Sequence, residues 1–237
     1  MEGFSAAFLQ IIQMLIRGDA EIYEIIFLSL RVSLTATVVG TLLGIPLGTL
    51  LGLKEFRGRR VLINLIYTLM GLPPVLAGLL IYLLLSRSGP LGALQLLFTP
   101  AAMVLAQVML VTPIITGLTT VAVQAKEKVF SETAVTLGAL PWQAAFLVLK
   151  EARRGIVVGI ITAFGRAIAE VGAVMLVGGN IQHYTRVMTT AIVLETRKGD
   201  YSLAMGLGLV LLLLSFTING ILYGGLIQFA QRGENSL

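Results

Sequence analysis

The chain has 237 residues, of which 57% are hydrophobic and only 12% charged, and its mean hydropathy is +0.93. Soluble domains carry about 25% charged residues, so this composition excludes an ordinary water-soluble fold and describes an integral membrane protein. The formal net charge of +5 is spread over short connections between apolar runs, which follows the positive-inside bias and argues against a nucleic-acid partner.

The absence of cysteine excludes disulfides, thiolate metal sites and cysteine nucleophiles. With His183 as the single histidine, no histidine-rich metal cage is available and no metal site is expected. Glu2 near the start, in place of a basic n-region, predicts no cleaved signal peptide.

In chain order, Phe4, Ala7, Phe8, Ile11, Ile12 and Leu15 fall at helical spacing. This piece is too short to span, and it reads either as an amphipathic helix flat in the outer interface or as an extension of the first span. Five later segments have the roughly 20 apolar residues that a spanning helix needs. They cover about 25–53, 61–86, 96–124, 155–178 and 202–229 in one all-helical transmembrane domain. Pro73-Pro74 and Pro113 interrupt the second and third, and each is expected to kink its helix. Gly44 and Gly48 around Pro46 offer a small surface for close helix contact.

Lys and Arg set the orientation. Lys54–Arg60, Lys126–Arg154 and the C-terminal tail hold ten, against five in residues 1–24, 87–95 and 179–200. The basic side is the cytoplasm, which places the N-terminus outside, the C-terminus inside, the loop 125–154 in the cytoplasm and the loop 179–200 outside.

The stretch Ser131–Arg154 is a polar, charge-bearing island between apolar runs. Ser131 suits an N-cap, Glu132 the first turn, and Phe130 with Val135 a hydrophobic staple. Gly138 should stop that helix after two turns, and Pro141 should open a second over Trp142–Leu149. Two short capped helices about a fixed glycine make a knob able to transmit rigid-body motion.

Arg31 near the outer end of the first span can snorkel. Arg166 and Glu170 lie four apart in the fourth span, where the spacing allows an intrahelical ion pair. Such a pair either fixes how the span packs or forms a gate beside a water-filled path. Gly178-Gly179-Asn180 is a helix stop, and Val187–Lys198 can form a short helix. His183 reads as an exposed loop histidine. No phosphate-cradling loop, His-Glu-x-x-His or nucleophile elbow is present, so no enzyme activity is expected of this chain.

Within the island, Glu132-Thr133-Ala134, then Gly138, then Val148 resembles the cytoplasmic signature of type I ABC importer permeases of the molybdate/sulfate-like class: Glu-Ala-Ala, three residues, Gly, nine residues, Ile-x-Leu-Pro. The chain departs from it at Thr133 and at Lys150-Glu151, where the family has Leu-Pro. Arg166-Ala-Ile-Ala-Glu170-Val-Gly-Ala173 and Gly179-Asn180-Ile181 are similar to a run of molybdate-type permeases. The continuation Thr185–Ile192 and Leu194–Gly199 looks most like the tungstate branch.

The resemblance implies a five-span permease core with a cytoplasmic coupling helix, in a prokaryotic inner membrane. It further implies a second copy of this chain, two ABC ATPase subunits carrying ATP-Mg, and an extracytoplasmic binding protein that delivers an oxyanion, tungstate first and molybdate or sulfate next. Glu132, Thr133, Ala134 and Gly138 would couple to the ATPase, Arg166 and Glu170 would pair or gate, and Asn180, Arg186, Glu195 and Arg197 would meet the binding protein. The competing class is a self-sufficient secondary transporter or channel, which would want an intramembrane carboxylate free of an arginine partner.

Overall fold

The computed structural model describes residues 19–232, so the segment Phe4–Ile16 and the last five residues lie outside what is described. All regular structure among the described residues is helical. The helices are α1 (Ala20–Leu53), α2 (Arg59–Met70), α3 (Pro74–Leu85), α4 (Pro100–Thr136), α5 (Pro141–Ile168), α6 (Gly172–Gly178), α7 (Met188–Lys198) and α8 (Tyr201–Arg232), with a 3-10 turn at Gly92–Leu94. Ala20–Leu53, Pro100–Ser131 and Tyr201–Gly224 are each long and apolar enough to cross a membrane, and counting the broken pairs α2–α3 and α5–α6 as one span each gives up to five.

Local chemistry explains where the helices start and stop. Asp19 caps α1, its carboxylate accepting from the N–H groups of Glu21 at 3.0 Å and Ile22 at 3.3 Å. Arg59 closes the other end, donating from Nε to the carbonyl of Leu51 at 2.8 Å and from Nη2 to that of Gly52 at 3.3 Å. A cation on the last carbonyls also complements the helix dipole.

The double proline does more than kink its span. The helix ends at Met70 and restarts at Pro74, because two consecutive missing donors leave no bond to bridge the gap and Pro74 disfavours helical geometry at Pro73. Pro113 lies inside an unbroken α4 and Pro46 inside an unbroken α1. One missing donor each is carried by the flanking turns.

The chain divides into two compact units, and the divisions fall inside α1, α4, α5 and α8 and at the break before Pro74. Of the described residues, the first takes 19–36, Pro73–Val108 and Arg166–Ile218; the second takes Thr37–Leu72, Met109–Gly165 and 219–232. In the first, Ile22, Ile25, Met188, Ala191, Leu207 and Val210 form a buried cluster. There α3 and α6 touch at backbone distance, since a Cβ on Gly78 would lie 2.7 Å from Ala173 Cα.

In the second unit a ridge of Gly40, Gly44, Gly48 and Gly52 at every fourth position of α1 meets α4. A Cβ on each would come within 2.9 Å of Val111, Ile115, Thr116 or Thr119, and Val123 respectively. The close contact expected at Gly44 and Gly48 thus runs a full turn further in both directions.

Candidate functional site

Three groups of residues were singled out by the sequence, and each is built differently. The polar island Ser131–Arg154 is one turn between two long helices. Ser131 is not an N-cap, because α4 continues through it to Thr136. Nothing between Gln124 and Ser131 breaks the helix, and Ala125-Lys126-Glu127-Lys128 are good helix formers. Gly138 does end it. Its φ is +81, and the N–H of Ala139 donates to the carbonyl of Ala134 at 2.9 Å, the six-to-one bond of a Schellman ending.

The next helix begins at Pro141, in the first position where a missing donor costs least. Leu140 stands at the cap, its N–H donating to Gln143 Oε1 at 2.8 Å, half of a capping box. This helix does not stop near Leu149 but runs to Ile168. Lys150-Glu151 stand where the resembling family has Leu-Pro, and without that proline nothing interrupts the ladder.

Of the expected coupling residues, Glu132 is on α4, Thr133 is exposed and returns its hydroxyl to the carbonyl of Val129 at 2.7 Å, and Ala134 is buried. Beneath the turn, Val123, Val148, Ala152 and Ile156 form a buried cluster that Phe130 and Leu149 flank. At its surface Leu137, Leu140, Trp142 and Phe146 are exposed, Leu137 at 82% and Trp142 at 67%.

Arg166 and Glu170 do not share a helix. Arg166 is in the last turn of α5, and Glu170 lies in the break before α6. Arg166 Nη2 is 3.8 Å from Glu170 Oε2, with the arginine side chain 42% exposed and the glutamate 2%. The shorter contact of the carboxylate is Oε1 accepting from Ala173 N–H at 3.0 Å, so Glu170 helps open the short helix.

Sequence reasoning missed the residues that secure this break. Gln107 donates from Nε2 to the carbonyl of Ala167 at 2.9 Å, and Thr189 donates to the carbonyl of Glu170 at 2.8 Å. Gln107 Oε1 is buried without a partner beside a cavity of about 10 Å³ lined by Ser29, Ser33, Gln107, Glu170 and Thr189, about the size of one water. The available signal was a lone amide inside a charge-free apolar run.

Because the cap is nearer than the ion pair, Glu170→Ala should lower stability by about 1–2 kcal/mol, and Glu170→Gln, which keeps an acceptor, should lose much less. Arg166→Ala should cost less than Glu170→Ala, because it removes only the longer contact at 3.8 Å. Thermal melting of the purified chain in detergent measures all three. A larger loss for Arg166→Ala than for Glu170→Ala would make the ion pair the main contact.

The loop 179–200 is latched to the start of α1. Arg186 Nη1 donates to Glu21 Oε1 at 2.9 Å, Gln182 Nε2 donates to the same oxygen at 3.0 Å, and His183 Nδ1 lies 2.7 Å from Glu24 Oε2. Gly179, Asn180 and His183 all have positive φ, which ends α6 and folds the loop back. Glu195 pairs with Lys198 at 2.8 Å, and Arg197 is exposed. A hollow of about 440 Å³ lined by Asp19, Glu21, Arg186, Glu195 and Lys198, with Ile22 and Leu207 among its apolar walls, carries both signs of charge. Arg186 is therefore engaged by a carboxylate and is not presented as an anion receptor. Among the described residues no group of three or more His, Cys, Asp or Glu is placed to hold a metal.

The chain as a whole is similar to known proteins. A family model described as binding-protein-dependent transport system inner membrane component matches residues 44–232. A tungstate uptake system permease protein TupB from Peptoclostridium acidaminophilum is 45% identical over 94% of this chain and 96% of its own length. A probable anion ABC transporter permease protein from Haloferax volcanii is 42% identical over 81% of this chain and 85% of its own. The sulfate transport system permease protein CysW of Escherichia coli is 29% identical over 85% and 70%.

A solved amino acid ABC transporter structure superposes with a TM-score of 0.63 at 16% identity, covering 95% of this chain and 98% of that one. At that identity the likeness concerns the fold. With a family model matched over most of its length, this chain belongs to the inner membrane components of binding-protein-dependent transport systems, and is a transport subunit, not an enzyme.

Proposed function

We propose that this chain is the membrane-spanning subunit of an ATP-driven oxyanion importer and that its preferred cargo is tungstate, with molybdate and sulfate the next candidates. The observation that carries the cargo is the 45% identity to a tungstate permease over nearly the full length of both chains. Two copies of the chain form the translocation path, two ABC ATPase subunits bind ATP-Mg below, and an extracytoplasmic binding protein delivers the anion. The N-terminus faces outward and the C-terminus the cytoplasm.

Physically, the chain contributes coupling and passage. The exposed apolar surface at Leu137, Leu140, Trp142 and Phe146 suits a groove on the ATPase, and the capped turn at Gly138 supports force transfer without a catalytic side chain. Anion choice rests with the binding protein, which fits the engagement of Arg186 by Glu21. The loop residues Asn180, Glu195 and Arg197 are the proposed contacts for that protein.

Cells expressing the chain with its ATPase and binding protein should accumulate tungstate in preference to molybdate and sulfate, read by elemental mass spectrometry. Changing Leu137 and Trp142 together to Ser should release the ATPase from the purified complex and abolish uptake. Uptake that persists without any ATPase would sink the importer reading in favour of a self-sufficient transporter. Equal uptake of molybdate would move the cargo.

A further inference from the structure

We infer that the loop Lys54–Arg60 with the start of α2 is a binding site for the phosphate headgroup of an anionic phospholipid. Lys54, Arg57, Arg59 and Arg60 crowd into seven residues with Glu55 as the lone acid. Arg59 is engaged, by the carbonyls of Leu51 and Gly52 and by Glu55 at 3.4 Å. The side chains of Lys54, Arg57 and Arg60 are exposed and take part in none of the hydrogen bonds or ion pairs among the described residues.

This leaves three cations that no described residue neutralises immediately after α1, at the point where an apolar span leaves the hydrocarbon. Arg60 borders a hollow of about 290 Å³ that Glu55, Phe56, Gly58, Arg59 and Val61 also line, with Lys54 and Arg57 close by in sequence. Two arginines also open α2, the end of a helix whose dipole already favours an anion, so the local potential exceeds what the side chains alone supply.

The apolar half of the site selects a lipid over a free anion. None of α2 is buried, and Phe56, Val61, Leu62 and Leu65 are exposed, with Val61 and Leu65 one turn apart on a single face. A headgroup phosphate resting on Arg60 at that hollow, within the field of Lys54 and Arg57, would send its acyl chains along that face. A soluble anion would satisfy the cations and leave the face bare. The site is independent of the transport reading, since it needs neither the ATPase nor a translocated anion.

The test is native mass spectrometry of the full chain purified in neutral detergent and titrated with phosphatidylglycerol, phosphatidylcholine or inorganic phosphate. Phosphatidylglycerol should be retained well above phosphatidylcholine, and inorganic phosphate should not displace it. Each basic residue at an anionic lipid surface strengthens binding about fivefold, so Lys54→Gln with Arg57→Gln and Arg60→Gln should weaken phosphatidylglycerol about a hundredfold.

The charge-keeping set Lys54→Arg, Arg57→Lys and Arg60→Lys should bind like the parent. Equal retention of the two lipids by the unaltered chain overturns the proposal whether or not a variant folds. Displacement by inorganic phosphate also overturns it. Unchanged phosphatidylglycerol binding in the neutral triple variant also overturns it.

Discussion

Gly138→Val is expected to cut tungstate uptake about five- to thirtyfold while leaving the chain inserted and monodisperse. The residue sits at φ +81 with nothing within 4 Å of where a Cβ would stand, so no clash accompanies the change. What it meets is the intrinsic penalty of the left-handed region, about 1–2 kcal/mol for an ordinary residue and more for a β-branched one. That energy falls on the turn alone. The population holding Leu137 and Trp142 in docking position falls by the corresponding factor, and the rest of the fold does not sense it.

Gly138→Asn is the matching control, because asparagine tolerates this region and should keep most of the uptake. Uptake and ATPase stimulation are measured together on the same membranes. Full activity in Gly138→Val would show that the turn is not the coupling element.

The second large effect lies within the second unit. Gly48→Val should lower stability by about 1–3 kcal/mol or more, seen as loss of monodisperse protein at a lower temperature on heated size exclusion. A Cβ there would stand 2.6 Å from the carbonyl oxygen of Thr116 and 2.6 Å from Thr119 Cβ. A backbone oxygen in a helix cannot step aside as a flexible side chain can. The carbonyl of Gly48 also accepts from Thr120 Oγ1 at 3.3 Å, so separating α1 from α4 loses a buried hydrogen bond as well. Gly208→Val, with nothing within 4 Å of its Cβ position, should be near neutral. Equal losses at the two positions would mean that the ridge is not a packing contact. Without a hydrophobic drive between helices in lipid, such close approach is a main source of helix association.

What the residues alone determined is local. Hydropathy located the spans because a bilayer demands about 20 apolar residues irrespective of neighbours. Pro73-Pro74 marked a disruption, and Gly138 and Gly179 marked helix ends, because a missing donor or a positive φ acts within one turn. The signature residues Glu132, Ala134 and Gly138 pointed to the permease family for the same reason: they lie within a few residues of one another.

The tertiary structure decided matters that depend on what lies opposite. Ser131 had every mark of a cap, yet α4 runs through it to Thr136, since capping propensity yields where the helix before it has no reason to stop. Glu170 was matched by spacing to Arg166 and does pair with it at 3.8 Å, but across a helix end at Ile168, and its nearer partner, the N–H of Ala173 at 3.0 Å, belongs to the next helix, which the spacing did not reveal. Gln107, 60 residues from Ala167 in sequence, and the extension of the glycine ridge to Gly40 and Gly52 have no local sign. Their roles are set by partners on another helix, and periodicity within one helix does not encode which partner will face it.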